Sequence, residues 1–320
     1  MPALQDAVAP HTGRSPFSSP GNWYRGNLHG HTTESDGAFT PAEYAAFYRG
    51  RGYHFAAVTD HWKVTDMSAF ASADFAFVPG AELDGHDPTS GMHHVLGLGI
   101  PALPARSAAD TLQGTVDAIR ALGGLAFIAH PYWSGQSARD LMTAHGYTGI
   151  EVWNGTCAMR WGKGLASVQW DELLAFGRPV LALASDDAHH RVEQGDDVGL
   201  GWVVVRSETL SANAVLEALR EGCFYASTGP EILAVRLERD AQAAAGSGAL
   251  AHVRCSPCRA IHFLCQGPMG RTVNAAPGGT LTEATLRLHR AARYLRVECV
   301  DAGGKTAWTN ALDPRAVAEA

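Results

Sequence analysis

From Asn22 to about Thr228 the chain alternates short apolar runs with stretches of helical periodicity. The runs AAV in HFAAVTDH, LAFIA in LAFIAHP and VLALA in RPVLALASDDAH are apolar at consecutive positions, as strands buried on both faces require. RGNLHGH, FAFVPGAE, HHVLGLGI, GIEVWN and GWVVVRS read as further strands. Between them Thr40-Pro41-Ala42-Glu43 opens a helix, with Thr40 as cap, Pro41 in the first turn and Glu43 completing a capping box; Gly52 ends it. Ser107 is expected to cap a helix that runs to Leu122 and stops at Gly123-Gly124. SARDLMTAHG, one helix through WDELLAFG, and SANAVLEALREG complete the helical set. Such alternation predicts a parallel sheet with covering helices, and about seven repeats suit a closed barrel better than an open sheet.

From about Gly229 the pattern changes. ILAVRLERD, AHVRCSP, AIHFLCQ, ATLRLHR and YLRVECVD alternate apolar and polar positions between Gly-rich or Pro-rich turns. This predicts a small antiparallel β domain over residues 229–320, a packing or oligomerisation module. Residues 1–21 carry prolines and serines with little period and are expected to form a mobile tail; residues 22–228 form the main domain.

Composition narrows the function classes. The 320 residues are 46% apolar and carry a formal net charge of -7, which argues against a non-specific nucleic-acid surface. No stretch approaches the roughly 20 apolar residues of a membrane span, and no basic n-region precedes an apolar run at the N-terminus. The six cysteines show no disulfide framework. Cys255 and Cys258 form a single C-x-x-C without the second ligand pair of a structural zinc site, so buried thiols are the default and the cytoplasm the expected compartment.

Fifteen histidines are many, and their positions matter more than their number. Polar clusters recur just after the buried strands: His29-Gly30-His31 with Ser35-Asp36-Gly37, Asp60-His61, Glu82, His93-His94, His130-Pro131 and Asp186-Asp187-Ala188-His189. A lone histidine there would be an ordinary hydrogen-bonded core residue. Recurrence at one architectural position is different, because so many buried ionisable groups are costly unless metal ions compensate them. In an extended segment residues i and i+2 share a side, so His29 and His31 can serve one centre, as can Asp187 and His189. The same rule turns Asp186 toward the wall and lets only one of His93 and His94 bind. Mixed imidazole and carboxylate ligands suit zinc, manganese or iron.

In this order NLHGHTTESDG, AVTDH, PGAE, HVLGLG, AHP and SDDAH resemble the signature of the polymerase-and-histidinol-phosphatase (PHP) superfamily, over roughly residues 23–228. WYRGNLH, HPYW, GIEVWN, SDDAH, FYASTGP and AWTN resemble its carbaryl-hydrolase-like branch, the CehA/McbA-type metallohydrolases, which also carries a C-terminal β extension. The resemblance implies a distorted (β/α)7 TIM-like barrel and a site for two or three metal ions. His29, His31, Glu82 and Asp187 would hold one. Asp36, His61 and His189 would hold a second, although some members place a histidine one residue after Asp36. His94 and His130 would hold a third, with Glu82 as a shared bridge and His93 in reserve.

The expected chemistry is hydrolysis by a metal-bridging hydroxide, with Glu82, Asp187 and His189 at the reacting centre. No G-x-S-x-G elbow and no P-loop offers another route. Three functions remain open. A phosphoesterase acting on a small organic phosphate ester draws on the superfamily and on nearby cations, Lys63, Arg139, Arg160, Lys163 and Arg191. A carbamate or carboxylic ester hydrolase draws on the branch and on Trp62, Tyr132, Trp133, Trp153 and Trp161. A non-catalytic metal-binding module would be expected to have lost ligands. Arg160, Lys163, Trp133 and Asn154 are the expected substrate contacts, with Arg160 and Lys163 in a loop over the metals. The partner is a small-molecule substrate rather than a membrane or a specific nucleic acid.

Overall fold

The computed structural model describes residues 15–191, 196–239 and 248–316. The apolar runs form strands β1 (Asn22–Asn27), β2 (Phe55–Val58), β3 (Ala76–Asp87), β4 (Gly91–Leu98), β5 (Leu125–Ile128), β6 (Gly149–Asn154) and β7 (Leu181–Ser185), of which β2, β5 and β7 are buried on both faces. Side chains alternate between two cores. Leu125 and Phe127 of β5, and Leu181 and Leu183 of β7, join Leu28, Phe55, Ala57, Val78 and Leu96 in one cluster. Ala126, Ile128, Ala182 and Ala184 face the other way, onto Leu112, Val116, Ile119 and Trp170 of the covering helices. The sheet therefore separates two apolar cores.

The expectation of a parallel sheet holds only in part. β1–β2, β2–β3, β5–β6 and β6–β7 are parallel. β4 runs antiparallel to both β3 and β5. For β3 and β4 the cause is a tight turn: Asp87 accepts from the backbone N–H of Thr89 and Ser90, and Gly91 takes φ +80°. The expected closed barrel is not formed as a strand ladder among the described residues, where β7 does not pair with β1. The two meet just beyond their ends, where Gly30 bridges Ala188.

Helix boundaries follow capping chemistry. α1 (Pro41–Gly50) has the expected Thr40–Glu43 capping box. α2 (Leu112–Ala121) starts later than expected, because Thr111 rather than Ser107 accepts the Gly114 N–H. α3 (Ala138–Leu141) is capped by Ser137. The helix expected through WDELLAFG is α5 (Ser167–Ala175), and the loop expected before it holds a further helix, α4 (Gly155–Trp161), which ends at Gly162 with φ +67°. Arg160 thus lies on a helix rather than in a loop. α6 (Ala212–Arg220) follows β8 (Trp202–Ser207) and precedes β9 (Phe224–Ser227).

Beyond β9 lie β10 (Ile232–Arg239), β11 (Ala249–Cys258), β12 (Ala260–Leu264), β13 (Arg271–Asn274), β14 (Leu281–Arg287), β15 (Arg296–Val300) and β16 (Thr306–Thr309). Their pairings are antiparallel, as the alternating pattern predicts. The 228/229 division falls between β9 and β10, yet the main sheet continues past it because β16 pairs with β9. β10, β11 and β14 form a separate sheet. The tail expected over 1–21 lies outside the described residues as far as residue 14. From Ser15 the chain is packed, with Phe17 against Trp23 and Tyr225. All six cysteines are buried. No helix among the described residues is long and apolar enough to cross a membrane.

Candidate metal centre

The polar clusters come together where the chain leaves the inner strands. His29 and His31 follow β1, His61 follows β2, His130 follows β5 and Asp187 follows β7, while Glu82 and His94 project from β3 and β4. Backbone hydrogen bonds lace these ends into one rim. Asp187 N donates to His29 O (3.0 Å), His31 N to Ala188 O (2.8 Å), Thr59 N to Gly30 O (2.9 Å) and Ala129 N to His94 O (2.9 Å). Gly30 has to be glycine, since a Cβ there would lie 2.5 Å from the Tyr44 hydroxyl. Non-glycine residues with positive φ concentrate at the rim: Trp62 (48°), His130 (28°), Asp187 (55°) and His190 (54°). Such strain persists only where surrounding contacts over-determine it, and it marks functional sites.

At the bottom His29, His31, Glu82 and Asp187 converge. His29 Nε2 lies 3.1 Å from Glu82 Oε2 and 3.2 Å from Asp187 Oδ1. His31 Nε2 lies 3.3 Å from Glu82 Oε2, 3.1 Å from Asp187 Oδ1 and 3.3 Å from His29 Nε2. Nearer the surface Asp36, His61 and His189 gather beside His31, with His189 Nε2 3.2 Å from Asp36 Oδ2. On the third side His94 Nδ1 and His130 Nε2 lie 2.8 and 3.1 Å from Glu82 Oε1, and His61 Nδ1 lies 3.5 Å from Glu82 Oε2. Glu82 is common to the first and third groups. His31 and His61 each border two groups, which the family pattern had not implied.

These donors fit divalent cations. Carboxylates accept only, and the ring nitrogens turned toward them can serve as lone-pair donors. His31 Nδ1 and His61 Nδ1 are buried without any hydrogen bond. The field has the same sense. Burial opposes protonation of His31, but Asp187 and Glu82 outweigh it and push the imidazole up to about 10. Burial likewise opposes ionisation of Glu82, yet His29 and His94 hold it well below the usual carboxylate range. Two buried carboxylates thus call for positive charge at this spot, the role a metal ion fills.

Carboxylates behind the ligands fix their positions. Asp60 accepts from Thr32 N, Thr32 Oγ1, Ser35 Oγ and Thr65 Oγ1 and holds the segment after His31. Asp186, turned to the wall as the alternation predicts, accepts from Tyr48 OH and from the N–H groups of Gly199, Leu200 and Gly201. Asp197 accepts from His189 N, His190 N and Arg160 Nη2. Glu151 accepts from His29 Nδ1. Asp197 and Glu151 were missed in the sequence; the one signal for Glu151 is a lone charge inside an apolar strand. His93 points away and meets Thr115 Oγ1 at 3.0 Å.

A cavity of about 330 Å³ opens over the ligands. Trp133 and Trp161 form one wall, with ring centroids 5.6 Å apart, and Trp133 also packs edge-on against His94 and His130. Arg160, Arg191, Thr156 and Cys157 form the rest. Arg160 is paired with buried Asp197 at 2.9 Å, and its Nε is buried with no hydrogen-bond partner. Arg191 donates to Asp36. Two of the four expected substrate contacts, Arg160 and Trp133, are on the wall; the other two are not. Asn154 lies beneath the site, where its amide donates to Glu151 and Asp187 and its oxygen caps α4. Exposed Lys163 sits over the Tyr132 ring, 5.9 Å from its centroid, outside the cavity lining.

No protein-family model matches the chain, and neither does any curated protein. Among solved structures it is similar to a two-domain protein from Bacteroides vulgatus described as containing a "predicted PHP-like metal-dependent phosphoesterase". The identity is 13%, the TM-score 0.46, and the match covers 93% of this chain and 99% of that one. It is also similar to an amidohydrolase from Chromobacterium violaceum with bound sulfate and no metal, at 20% identity and TM-score 0.44, over 53% of this chain and 89% of that one.

Proposed function

We propose that the protein is a metal-dependent hydrolase of the PHP type, a phosphoesterase acting on a small organic phosphate ester. The observation that carries this reading is the convergence of two buried imidazoles, His29 and His31, on two buried carboxylates, Glu82 and Asp187, with no lysine or arginine in the group. Two or three divalent ions, zinc, manganese or iron, would be held by this set, by Asp36, His61 and His189, and by Glu82, His94 and His130. Bound there, such ions supply Lewis acidity to the scissile group and a hydrolytic nucleophile near neutral pH. Glu82 and Asp187 hold the charge of the centre, and His189 stands on the cavity wall beside it. Arg160 lines the cavity, and a guanidinium suits phosphate oxygens. Trp133 and Trp161 would cover the organic group and exclude water.

The tryptophan wall favours a second reading, hydrolysis of an aryl carbamate or carboxylic ester in the carbaryl-hydrolase-like branch. We read the curled sheet as a distorted (β/α)7 barrel over 22–228, with 229–320 as an accessory β module that packs or joins copies. The cytoplasm suits six buried cysteines with no disulfide framework in their spacing. The test is elemental analysis of protein purified without chelator, with turnover of an aryl phosphate and an aryl carbamate measured on the same sample. Bound transition metal and faster phosphate turnover are expected. Faster carbamate turnover selects the second reading. Protein that is metal-free and takes up neither zinc nor manganese overturns both.

A further inference from the structure

Glu151 lies in β6, which supplies none of the candidate ligands, and it is fully buried. All four of its lone-pair positions are taken. Oε1 accepts from His29 Nδ1 at 2.9 Å and from the Ser185 hydroxyl. Oε2 accepts from the backbone N–H of His130 at 2.8 Å and from Asn154 Nδ2 at 2.9 Å. The same Asn154 amide donates to Asp187 Oδ2 at 3.1 Å. One carboxylate therefore reaches candidate ligands that follow three different strands.

We infer that Glu151 is the positioning residue of the metal centre: it sets the tautomer of His29, pins the strained backbone of His130 and, through Asn154, aims the Asp187 carboxylate. The inference rests on the metal-centre reading above. An ionised carboxylate cannot donate, so Nδ1 of His29 carries the proton and Nε2 presents its lone pair toward Glu82 and Asp187. The hold on His130 is of another kind. Its φ of +28° is one an L residue rarely adopts, and the Glu151 bond to its N–H fixes the turn that sends the ring toward Glu82.

Glutamine cannot replace this glutamate. Its amide NH2 would face two donors whichever way it turned. Turned toward His29, it forces the ring to accept at Nδ1 and to carry its proton on Nε2, where the cation belongs. Turned toward His130 and Asn154, it frees the strained turn.

The test is zinc affinity of the full chain, stripped of metal and titrated against a chromophoric chelator. Wild type, Glu151→Gln and Ser185→Ala are compared, with thermal unfolding alongside. Glu151→Gln is expected to weaken the tightest class of zinc about 10- to 100-fold. Ser185→Ala, which removes a donor that touches no candidate ligand, weakens it far less. A Glu151→Gln protein that binds zinc as tightly as wild type overturns the inference, whatever its Tm. Failure of the wild type to take up zinc is a separate result, which overturns the metal-centre reading and this inference with it. Should Glu151→Gln not fold, nitrogen-15 spectra of histidine-labelled, zinc-loaded wild type decide. A proton on His29 Nδ1 supports the assignment, and one on Nε2 overturns it.

Discussion

Two donor groups share one rim but are built differently. At the bottom, the side chains of His29 and His31 are wholly buried and those of Glu82 and Asp187 nearly so. Nearer the mouth, 41% of the Asp36 side chain and 29% of the His61 side chain are exposed. The lower group is braced by Glu151 and Asn154, and its ligands come from or directly after strands. In the upper group Asp36 sits in a turn after His31 and already has a partner in Arg191. Burial weakens competition from water and bracing removes the cost of ordering, so the lower group is the better preorganised candidate site. The upper group must give up a guanidinium contact and solvent to take an ion. Greater depth, bracing and one more carboxylate in the lower group therefore predict unequal affinity.

The sharpest way to break this comparison is Glu82→Gln. Glu82 contacts ligands of the first and third groups, and an amide in its place leaves the surrounding positive charge uncompensated. Activity should fall by at least the roughly 10- to 100-fold that losing an outer partner costs, with fewer ions bound per chain. Unchanged metal content and activity would remove Glu82 from the centre. Stepwise chelation sharpens the comparison next. Loss of metal should be biphasic, and Asp36→Asn should abolish only the fast phase. A single phase that Asp36→Asn leaves unaltered would mean that depth does not separate the groups.

What was legible in the sequence follows the same division. His29, His31, Glu82, His130 and Asp187 could be found because strand ends place their residues by a fixed period and in short motifs. Asn154 was picked out too, but for the wrong side of the site: its amide faces down to Glu151 and Asp187, a direction no spacing encodes. The hairpin of β3 and β4 hid in plain view, since Asp87 and Gly91 form a turn while the flanking apolar runs look like any parallel strands. The cavity wall was least legible. Gly162 breaks the helical pattern after Trp161, and that break decides that Arg160 faces the ligands from a helix.

Arg160→Ala probes the wall. On an aryl phosphate it should raise KM and lower kcat together, by ~2–4 kcal/mol in kcat/KM, because a charge-assisted contact strengthens as charge builds on the phosphoryl oxygens. On an aryl carbamate the loss should be slight, and equal losses on both would assign Arg160 to holding Asp197 and the His189 segment instead. Trp161→Ala should have a smaller effect. Its ring is half exposed and meets Trp133, so about 0.5–1.5 kcal/mol of aromatic contact is at stake. The ratio of aryl to alkyl phosphate turnover should fall, and an unchanged ratio would remove Trp161 from the substrate's path.

The smallest effect is expected where sequence reasoning had placed a partner for Arg160. Lys163 lies three residues further on, and the two cations look equivalent in a string of letters. Gly162 separates them. Arg160, on α4, turns inward to buried Asp197 and the cavity, whereas Lys163 follows the helix end, is exposed, and rests over the Tyr132 ring. An exposed contact of this kind contributes about 0.5–1 kcal/mol at most, and the charge lies in solvent that screens it. Lys163→Ala should therefore leave kcat and KM for the aryl phosphate within error of wild type, at low and at physiological salt, and shift stability by no more than about 1 kcal/mol. A rise in KM that grows as salt is lowered would show that Lys163 draws the anionic substrate toward the mouth from outside the cavity. The electrostatic reach of the site would then extend past the wall that Trp133, Trp161 and Arg160 define.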